Sequence, residues 1–386
     1  NTSLATQVIP NTKFDHAGDA INALYMDGWN LGKMKTYSNG FHYAYNLEDN
    51  KMYLVDNSGK VIYPEEVDKS KLYGLYDGSA SAKIAGVTKY VALSNIIGAD
   101  DFDQLTAGGE NYTIDLNGHF FGVKSENGAT KKYNNVALVN GIVLDGSVET
   151  GSDSKDVVTY AEQKMEETQA EKTYENKVFY NVEGYTGDYK YAPKSGTIFK
   201  NCIFYNSSVR TDSNTYPQDT TITFENCSFI GAPSEDNAPI EVYDNTTSNL
   251  TVVIKNCTFT QTKRGINIVG SNAKDGKTTV KIDGCTFNGT TNDKFAAIQI
   301  AEPAVYVEFI NNTVNALGNA PAVVRYHETF FTMHTDTNYV EALQHFTFSG
   351  NKVSSSIPES KYIDLDQYEN DEFYTAALES FKKGVK

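Results

Sequence analysis

Apolar and polar residues alternate with a period of two in a short segment that recurs down the middle of the chain. In the copy at residues 224–229, Phe224, Cys227 and Phe229 take inward positions, and a bend falls at Asn226. A period of two predicts strand rather than helix. Copies of the segment begin at Phe199, Phe224, Ile254, Ile282, Ile310 and Phe348. Units of about 25–30 residues with such short strands cannot close their own cores, so they are expected to stack as a parallel solenoid.

A second strand recurs between the copies and predicts a further sheet. Its apolar positions face the core, so its intervening polar positions should face outward and align from one coil to the next. The strand is found at residues 240–243, 266–269, 298–301, 324–327 and 363–366, and earlier units are indicated at 114–118 and 138–143.

From about residue 105 to residue 368, the chain resembles the right-handed parallel β-helix proteins of the pectin-lyase-like superfold. The resemblance rests on an apolar strand followed by Asn-Cys or Asn-Thr and then Phe or Val, as at residues 254–259 and 310–314. It implies an all-β solenoid, namely a right-handed parallel β-helix. The motif is specific for this architecture but says little about activity, because the superfold includes lyases, hydrolases, adhesins and phage spikes.

All four cysteines occupy one inward position of consecutive copies. Neighbouring strands of a sheet lie about 4.8 Å apart, so the thiols are expected to stack in a buried ladder and to act as small hydrophobic side chains. One alternative is a disulfide, whose geometry in-register parallel neighbours rarely offer. Another is a metal site, for which neither a CxxC motif nor clustered histidines are present. The four residues are Cys202, Cys227, Cys257 and Cys285.

Residues 1–90 lack the repeat and predict a small α+β module. Asp15 is a suitable cap for a helical stretch. Three strand-like runs separated by turns follow between Phe41 and Pro64, as in an antiparallel meander. The module is similar to modules that precede β-helices in surface proteins of gut bacteria. The β-helix domain is then expected to span residues 91–386.

Two segments of that domain depart from the repeat. Residues 153–177 are charged and helix-prone, and they are expected to form a helical insertion, either a solvated helix or a mobile flap. Residues 370–384 predict an amphipathic helix with Phe373, Ala377 and Phe381 on one face. Because the end of a solenoid exposes strand edges and core, this helix is expected to cap it.

Charge restricts the classes of partner. The chain of 386 residues carries a formal net charge of −16 and has a pI of about 4.8. Nucleic acid is not expected as a partner, because phosphate binding needs clustered Lys and Arg. Membrane insertion is not expected either, because no apolar run reaches the roughly 18 residues of a span. The first residue is Asn1 rather than Met, which favours a processed or truncated chain and is compatible with removal of a secretion signal. An extracellular or cell-surface location is therefore expected.

The outward positions of the second strand form a candidate ligand-binding row. In enzymes of the superfold, the outer face of one sheet, walled by loops, often holds the substrate groove, and the resemblance implies the same face here. Carboxylates and amides can hydrogen-bond to sugar hydroxyls, and aromatic rings can stack on pyranose faces. The alternative is that these positions are polar only because they face solvent, as in any solenoid. The candidate ligand-binding residues are Glu241, Tyr243, Asn267, Gln299, Arg325 and Asp364.

A complete catalytic set is not evident in the sequence. Lyases of the superfold need acidic calcium ligands and a base, and its hydrolases need clustered aspartates that act as acid and base. The best acid–base candidates are Glu241, His327 and Glu328, beside Arg325. No metal site or other cofactor is predicted, although scattered carboxylates in turns could bind calcium weakly.

Two functions are compatible with these observations. The first is a secreted or cell-surface bacterial protein that binds a polysaccharide or a host or cell-surface glycan, for adhesion and without catalysis. The second is a polysaccharide lyase or glycoside hydrolase acting in a groove on the β-helix face. A purely structural spacer is a third alternative. Whether the protein is an enzyme stays open, with the non-catalytic role favoured. Two carboxylates within about 10 Å in a walled cleft would favour the enzyme.

Overall fold

The computed structural model of the chain contains two compact units, Asn1–Ala161 and Glu162–Lys386, called here the N-terminal and C-terminal units. The residues that the structure describes are 41–46, 51–56, 61–67, 82–84, 87–89, 112–115, 120–121, 130–133, 136–146, 148–150, 155–163, 173–180, 182, 192–211, 216, 219–231, 237–243, 249–269, 277–332 and 337–386.

In the N-terminal unit, an antiparallel meander precedes the first parallel strands. Strands β1 to β3 pair in the order β1-β2-β3, as predicted. The helix predicted to begin at Asp15 lies outside the described residues. Farther along, β9 pairs in parallel with β6, as the repeat at 114–118 and 138–143 predicts. The strands are β1 (Phe41–Asn46), β2 (Lys51–Asp56), β3 (Val61–Val67), β4 (Ala82–Ile84), β5 (Val87–Lys89), β6 (Tyr112–Asp115), β7 (Phe120–Phe121), β8 (Lys131–Tyr133), β9 (Val136–Leu144), β10 (Val148–Thr150) and β11 (Lys155–Glu162).

The prediction of a helical insertion at residues 153–177 is wrong for the part of that segment that the structure describes. Strand β11 occupies Lys155–Glu162 and pairs in parallel with β9. Residues 173–175 are also a strand, whereas residues 164–172 lie outside the described part. The β-branched side chains of Val157, Val158 and Thr159 suit a strand. The hydrogen bonds offered by the neighbouring coil then outweigh the helix propensity of the charged residues around them.

In the C-terminal unit, each coil contributes one strand to each of three parallel sheets. Sheet 1 consists of β12 (Thr173–Glu175), β14 (Ile198–Lys200), β17 (Asp219–Glu225), β20 (Asn249–Lys255), β23 (Thr278–Asp283), β26 (Tyr306–Ile310) and β29 (Phe346–Ser349). Within this unit, sheet 2 consists of β13 (Lys177–Tyr180), β15 (Ile203–Tyr205), β18 (Ser228–Ile230), β21 (Thr258–Thr262), β24 (Thr286–Thr290), β27 (Thr313–Gly318) and β30 (Lys352–Val353). Sheet 3 consists of β16 (Val209–Arg210), β19 (Ile240–Tyr243), β22 (Ile266–Val269), β25 (Ile298–Ile300), β28 (Val324–Tyr326) and β31 (Ile363–Asp364). The predicted parallel solenoid is therefore confirmed.

The bend between sheets 1 and 2 requires a left-handed backbone conformation. Asn226 has φ of 53°, and Gly284 has φ of 68° at the equivalent position. Among L-residues, asparagine tolerates this region best, and glycine enters it without strain. A Cβ atom at Gly284 would also lie 2.5 Å from Oδ1 of Asn256 in the preceding coil. The asparagines at this bend are Asn176, Asn201, Asn226, Asn256 and Asn311.

Immediately after the bend, the cysteines form the ladder that their spacing predicts. All four are free and buried, so their role as packed thiols is confirmed. The Sγ atom of Cys285 accepts a hydrogen bond from the backbone N–H of Cys257 at 3.4 Å. Two asparagines, Asn312 and Asn351, continue the ladder with no exposed surface. The side chain of Asn312 accepts from the N–H of Cys285 and donates to the carbonyl of Ile282.

Phenylalanines stack beside this ladder along sheet 2. Successive rings are nearly parallel, with centroids 4.6 to 4.9 Å apart. That distance is close to the strand spacing, because in-register parallel pairing places identical side chains directly above one another. The stacked rings are Phe179, Phe204, Phe229, Phe259 and Phe287.

Short helices occupy the long last coil, and a longer helix closes the solenoid. Helices α1 (Glu328–Thr332) and α2 (Tyr339–Ala342) and a 3₁₀ turn at Leu343–His345 lie between β28 and β29, and another 3₁₀ turn spans Glu359–Lys361. Helix α3 (Asp371–Lys383) matches the predicted cap.

Helix α3 is fixed at both ends by its sequence. The side chain of Asn370 accepts a hydrogen bond from the N–H of Phe373 and caps the first turn. Phe373, Ala377 and Phe381 have no exposed surface. The helix ends at Gly384, where a Cβ atom would lie 2.4 Å from the backbone of Phe348. Glycine is needed there for close approach rather than for a positive φ, since φ is −89°.

Tyr326 points into the core from β28, and its hydroxyl has no hydrogen-bond partner among the described residues. A buried unsatisfied hydroxyl costs about 1–3 kcal/mol. We therefore expect Tyr326→Phe to raise the free energy of unfolding by about 1 kcal/mol, as measured by urea titration. Tyr326→Ala should instead lower it by about 3–5 kcal/mol by leaving a cavity. A clear loss of stability in Tyr326→Phe would show that the hydroxyl is satisfied.

Candidate functional site

Strand register aligns the predicted row across sheet 3. Glu241 pairs with Asn267, Asn267 with Gln299, Gln299 with Arg325, and Arg325 with Asp364. The row has a further member that was not predicted, because Arg210 of β16 pairs with Glu241. The complete set, called the polar row below, is Arg210, Glu241, Asn267, Gln299, Arg325 and Asp364.

The centre of the polar row is buried although it faces away from the core. Asn267 and Gln299 are 6% and 5% exposed. Nε2 of Gln299 donates to Oδ1 of Asn267 at 2.8 Å, which orients both amides. Glu241 and Asp364 are only half-buried. Simple solvation of an outer face therefore does not account for the row, because buried polar groups must be offset by specific hydrogen bonds.

A charged cluster forms the C-terminal end of the row. Nε of Arg325 lies 2.6 Å from Oδ2 of Asp364, and Nη1 lies 3.2 Å from Oδ1 of Asp366. The arginine is 8% exposed. Because a buried charge is stable only when paired, the two carboxylates hold Arg325 in one orientation.

His327 belongs to the same cluster, and its neighbours determine which ring nitrogen carries the proton. The backbone N–H of Thr329 donates to Nδ1 at 3.2 Å. The hydroxyl of Thr329 lies 2.9 Å from the same nitrogen. When Nδ1 accepts from the backbone N–H, the neutral ring carries its proton on Nε2, which lies 3.5 Å from Oδ2 of Asp366. Burial lowers the pKa of His327, and Arg325 acts in the same direction, whereas Asp366 and Glu328 oppose the shift. The lowered pKa thus favours a neutral His327.

The lowered pKa of His327 predicts a pH dependence of stability. The ordinary pKa is about 6.5, and the folded state binds the proton less readily than the unfolded state does. Its stabilising contribution is therefore complete above pH 6.5 or so and is lost as the pH falls through the lower folded pKa. Urea unfolding of the wild type and His327→Gln at a series of pH values checks this. We expect the difference in unfolding free energy to shrink on acidification. A difference that grows would indicate a raised pKa.

The N-terminal end of the row has a different electrostatic character. Burial raises the pKa of the Glu241 carboxyl, and the positive charges of Arg210 and Arg264 oppose the rise. The guanidinium of Arg210 lies 4.6 Å from the ring centroid of Tyr243, in a cation–π contact. Tyr243, another predicted ligand-binding residue, is therefore held beside the row by Arg210.

The fold does not bring the three candidate acid–base residues, Glu241, His327 and Glu328, into one site. Glu241 lies on β19, three strands from β28, after which His327 and Glu328 follow. At the ordinary strand spacing this separation is about 14 Å. The two carboxyls of a glycosidase lie about 5–10 Å apart, so Glu241 and Glu328 do not form such a pair. Glu328 is exposed, and its backbone N–H, rather than its carboxylate, faces Oδ2 of Asp366 at 3.4 Å.

Two residues of the site were missed at the sequence level. Strand β16 is only two residues long, so an alternation of polar and apolar residues could not reveal Arg210. The one indication of this strand in the sequence is the distance from Val209 to Ile240, which corresponds to the length of a coil. Thr329 follows the strand within α1, and no pattern in the sequence indicates that its backbone orients His327.

Within the described ranges, no group of three or more His, Cys, Asp or Glu side chains is arranged to hold a metal ion. Among the helices in the same part of the chain, none has the length and apolar character needed to cross a bilayer.

Residues 122–314 match the family described as the right-handed β-helix region, which is half of the chain. The chain belongs to the right-handed β-helix family. The right-handed parallel β-helix that the resemblance implies is thereby confirmed. No curated protein and no solved structure matches the chain significantly. Membership of the β-helix family supports a carbohydrate-related or surface protein and no finer function.

Proposed function

We propose that this β-helix protein binds a glycan along the polar row of sheet 3, without catalysis, outside the cell or at the cell surface. The observation that carries the proposal is the unbroken alignment of six polar side chains on one outer face. An extended polysaccharide matches such a row, because both repeat their hydrogen-bonding groups in one direction. The bacterial origin and the adhesive role extend the proposal from the resemblance in the sequence.

Pre-organisation of the row also supports glycan binding. The hydrogen bond between Gln299 and Asn267 and the ion pairs of Arg325 hold three adjacent side chains in place before any ligand arrives. Less conformational entropy is then lost on binding. Tyr243 adds a ring near one end, and aromatic rings suit the apolar faces of pyranoses.

A non-catalytic role is favoured over a lyase or hydrolase because Glu241 and Glu328 lie on distant strands. The two carboxylates that do lie close together, Asp364 and Asp366, are both paired with Arg325. The test combines a polysaccharide panel in affinity electrophoresis with assays of the same mixtures for reducing ends and for unsaturated uronates. We expect retardation by at least one polysaccharide and no product after prolonged incubation. Product that increases with protein concentration would establish the alternative enzyme, and absence of retardation throughout the panel would remove the glycan-binding proposal.

A further inference from the structure

The charges of the polar row compensate one another along sheet 3. Arg210 is followed by Glu241 on the next strand, and Arg325 is followed by Asp364. The two strands between these pairs carry the neutral amides of Asn267 and Gln299. A ligand lying along the row therefore meets no run of like charge, and a polyanion would find no excess of cations to neutralise it.

The arginine at the C-terminal end is already neutralised within the protein. Arg325 contacts the carboxylates of Asp364 and Asp366 through different nitrogens, at 2.6 and 3.2 Å. A sugar carboxylate could reach this guanidinium only by displacing one of the aspartates. Burial and the charge of Arg325 lower the pKa of the neighbouring His327, which disfavours its positively charged form, and the backbone N–H of Thr329 faces its Nδ1. With Glu328 exposed nearby, the three carboxylates at this end outnumber the positive charges of Arg325 and Lys294.

At the N-terminal end of the polar row, Arg210 and Arg264 also interact with groups of the protein. Arg210 lies against the ring of Tyr243, and the charges of Arg210 and Arg264 both act on Glu241. Both arginines also have further interactions within the protein. Their positive charge therefore acts on groups within the protein, above all on the carboxyl of Glu241.

The central amides offer both donors and acceptors. Asn267 and Gln299 make one hydrogen bond to each other, and no described residue takes up Nδ2 of Asn267 or Oε1 of Gln299. Sugar hydroxyls can donate and accept at once, so a pair of hydroxyls can satisfy both atoms. A carboxylate only accepts, so the carboxylate of an acidic sugar cannot serve Oε1, and only its hydroxyls can.

We infer that the ligand of the polar row is an uncharged polysaccharide rather than a polyuronate or a sulfated glycan. The inference rests on the glycan binding proposed above and specifies the class of glycan. It differs from arginine-assisted capture of an acidic polymer, which would require free cationic groups on this face.

The test compares polymers that differ only in charge. Polyuronates are used before and after reduction of each carboxylate to –CH₂OH, together with glucans, mannans, xylans and galactans, in affinity electrophoresis. We expect retardation only by uncharged polymers, with less than about a twofold change in affinity when salt rises from about 50 to 500 mM. A native polyuronate that binds as well as its reduced form would overturn the inference and leave glycan binding intact. Failure of every polymer would instead overturn the proposed function, and with it this inference.

A second experiment removes the two carboxylates that pair with Arg325. The variant Asp364→Asn/Asp366→Asn leaves Arg325 without its carboxylates, so we expect it to gain at least tenfold in affinity for a polyuronate, and high salt should abolish the gain. Glu372→Gln/Glu379→Gln makes the same charge change at exposed positions of α3 and should gain nothing. Circular dichroism establishes that both variants are folded. Equal gains in the two variants would show that net charge, rather than the paired Arg325, excludes acidic glycans.

Discussion

Phe373→Ala is expected to lower the free energy of unfolding by about 3–5 kcal/mol, the cost of removing a fully buried phenylalanine ring. Phe373 has no exposed surface, and its ring centroid lies 4.9 Å from that of Tyr326 and 5.1 Å from that of Phe331. It therefore connects helix α3 to the last coils of the solenoid. Urea unfolding followed by far-ultraviolet circular dichroism measures the loss.

The adjacent exposed residue provides the control. Glu372→Ala should change stability by no more than about 0.5 kcal/mol, because it leaves the buried face of α3 intact. The Phe373 variant should also become more susceptible to proteolysis in its last coils, since the cap covers their core. If Phe373→Ala were as stable as Glu372→Ala, α3 would not be the cap of the solenoid.

Asn312→Leu is expected to cost about 2–5 kcal/mol, because it leaves two buried backbone groups without partners. The side chain of Asn312 now accepts from the N–H of Cys285 at 2.8 Å and donates to the carbonyl of Ile282 at 2.9 Å. Leucine has a similar size but cannot form either bond. Thermal and urea unfolding under reducing conditions measure the effect.

Asn312→Cys is the matched control for that substitution. In the earlier coils, the N–H of Cys227 donates to Sγ of Cys257, and the N–H of Cys257 donates to Sγ of Cys285, each at 3.4 Å. A thiol at position 312 can take the same role for the N–H of Cys285, so the loss should be less than half of that in Asn312→Leu. Equal losses in the two variants would mean that ladder hydrogen bonds contribute little here.

Much of the fold could be predicted because the repeat is local and regular. The bend at Asn226 and the inward Cys227 and Phe229 recur at nearly constant spacing, so one copy predicts the register of the others. The cap was also predictable, since Phe373 and Phe381 lie on one helical face and Gly384 follows. Strand β11 was not, because its charged residues favour a helix until a parallel neighbour supplies hydrogen bonds to the backbone.

The candidate site was predictable in its alignment but not in its environment. Period-two alternation was enough to place Gln299 beside Asn267 on the outer face. The burial of both amides depends on what surrounds the row in the folded coils, and no pattern within a single strand reports that. The orientation of His327 depends likewise on the backbone N–H and the hydroxyl of Thr329, contacts that no pattern in the sequence indicates.

The most direct test of the central claim compares two outward polar residues on different sheets. Gln299 donates to the neighbouring strand within the polar row of sheet 3, and Thr258 donates in the same way to Ser228 on sheet 2. The affinity of Gln299→Ala and Thr258→Ala is measured by calorimetry with a polysaccharide that the wild type binds. Binding along the polar row predicts at least a tenfold loss in Gln299→Ala and no change in Thr258→Ala. Wild-type affinity in Gln299→Ala, or equal losses in both variants, would contradict it.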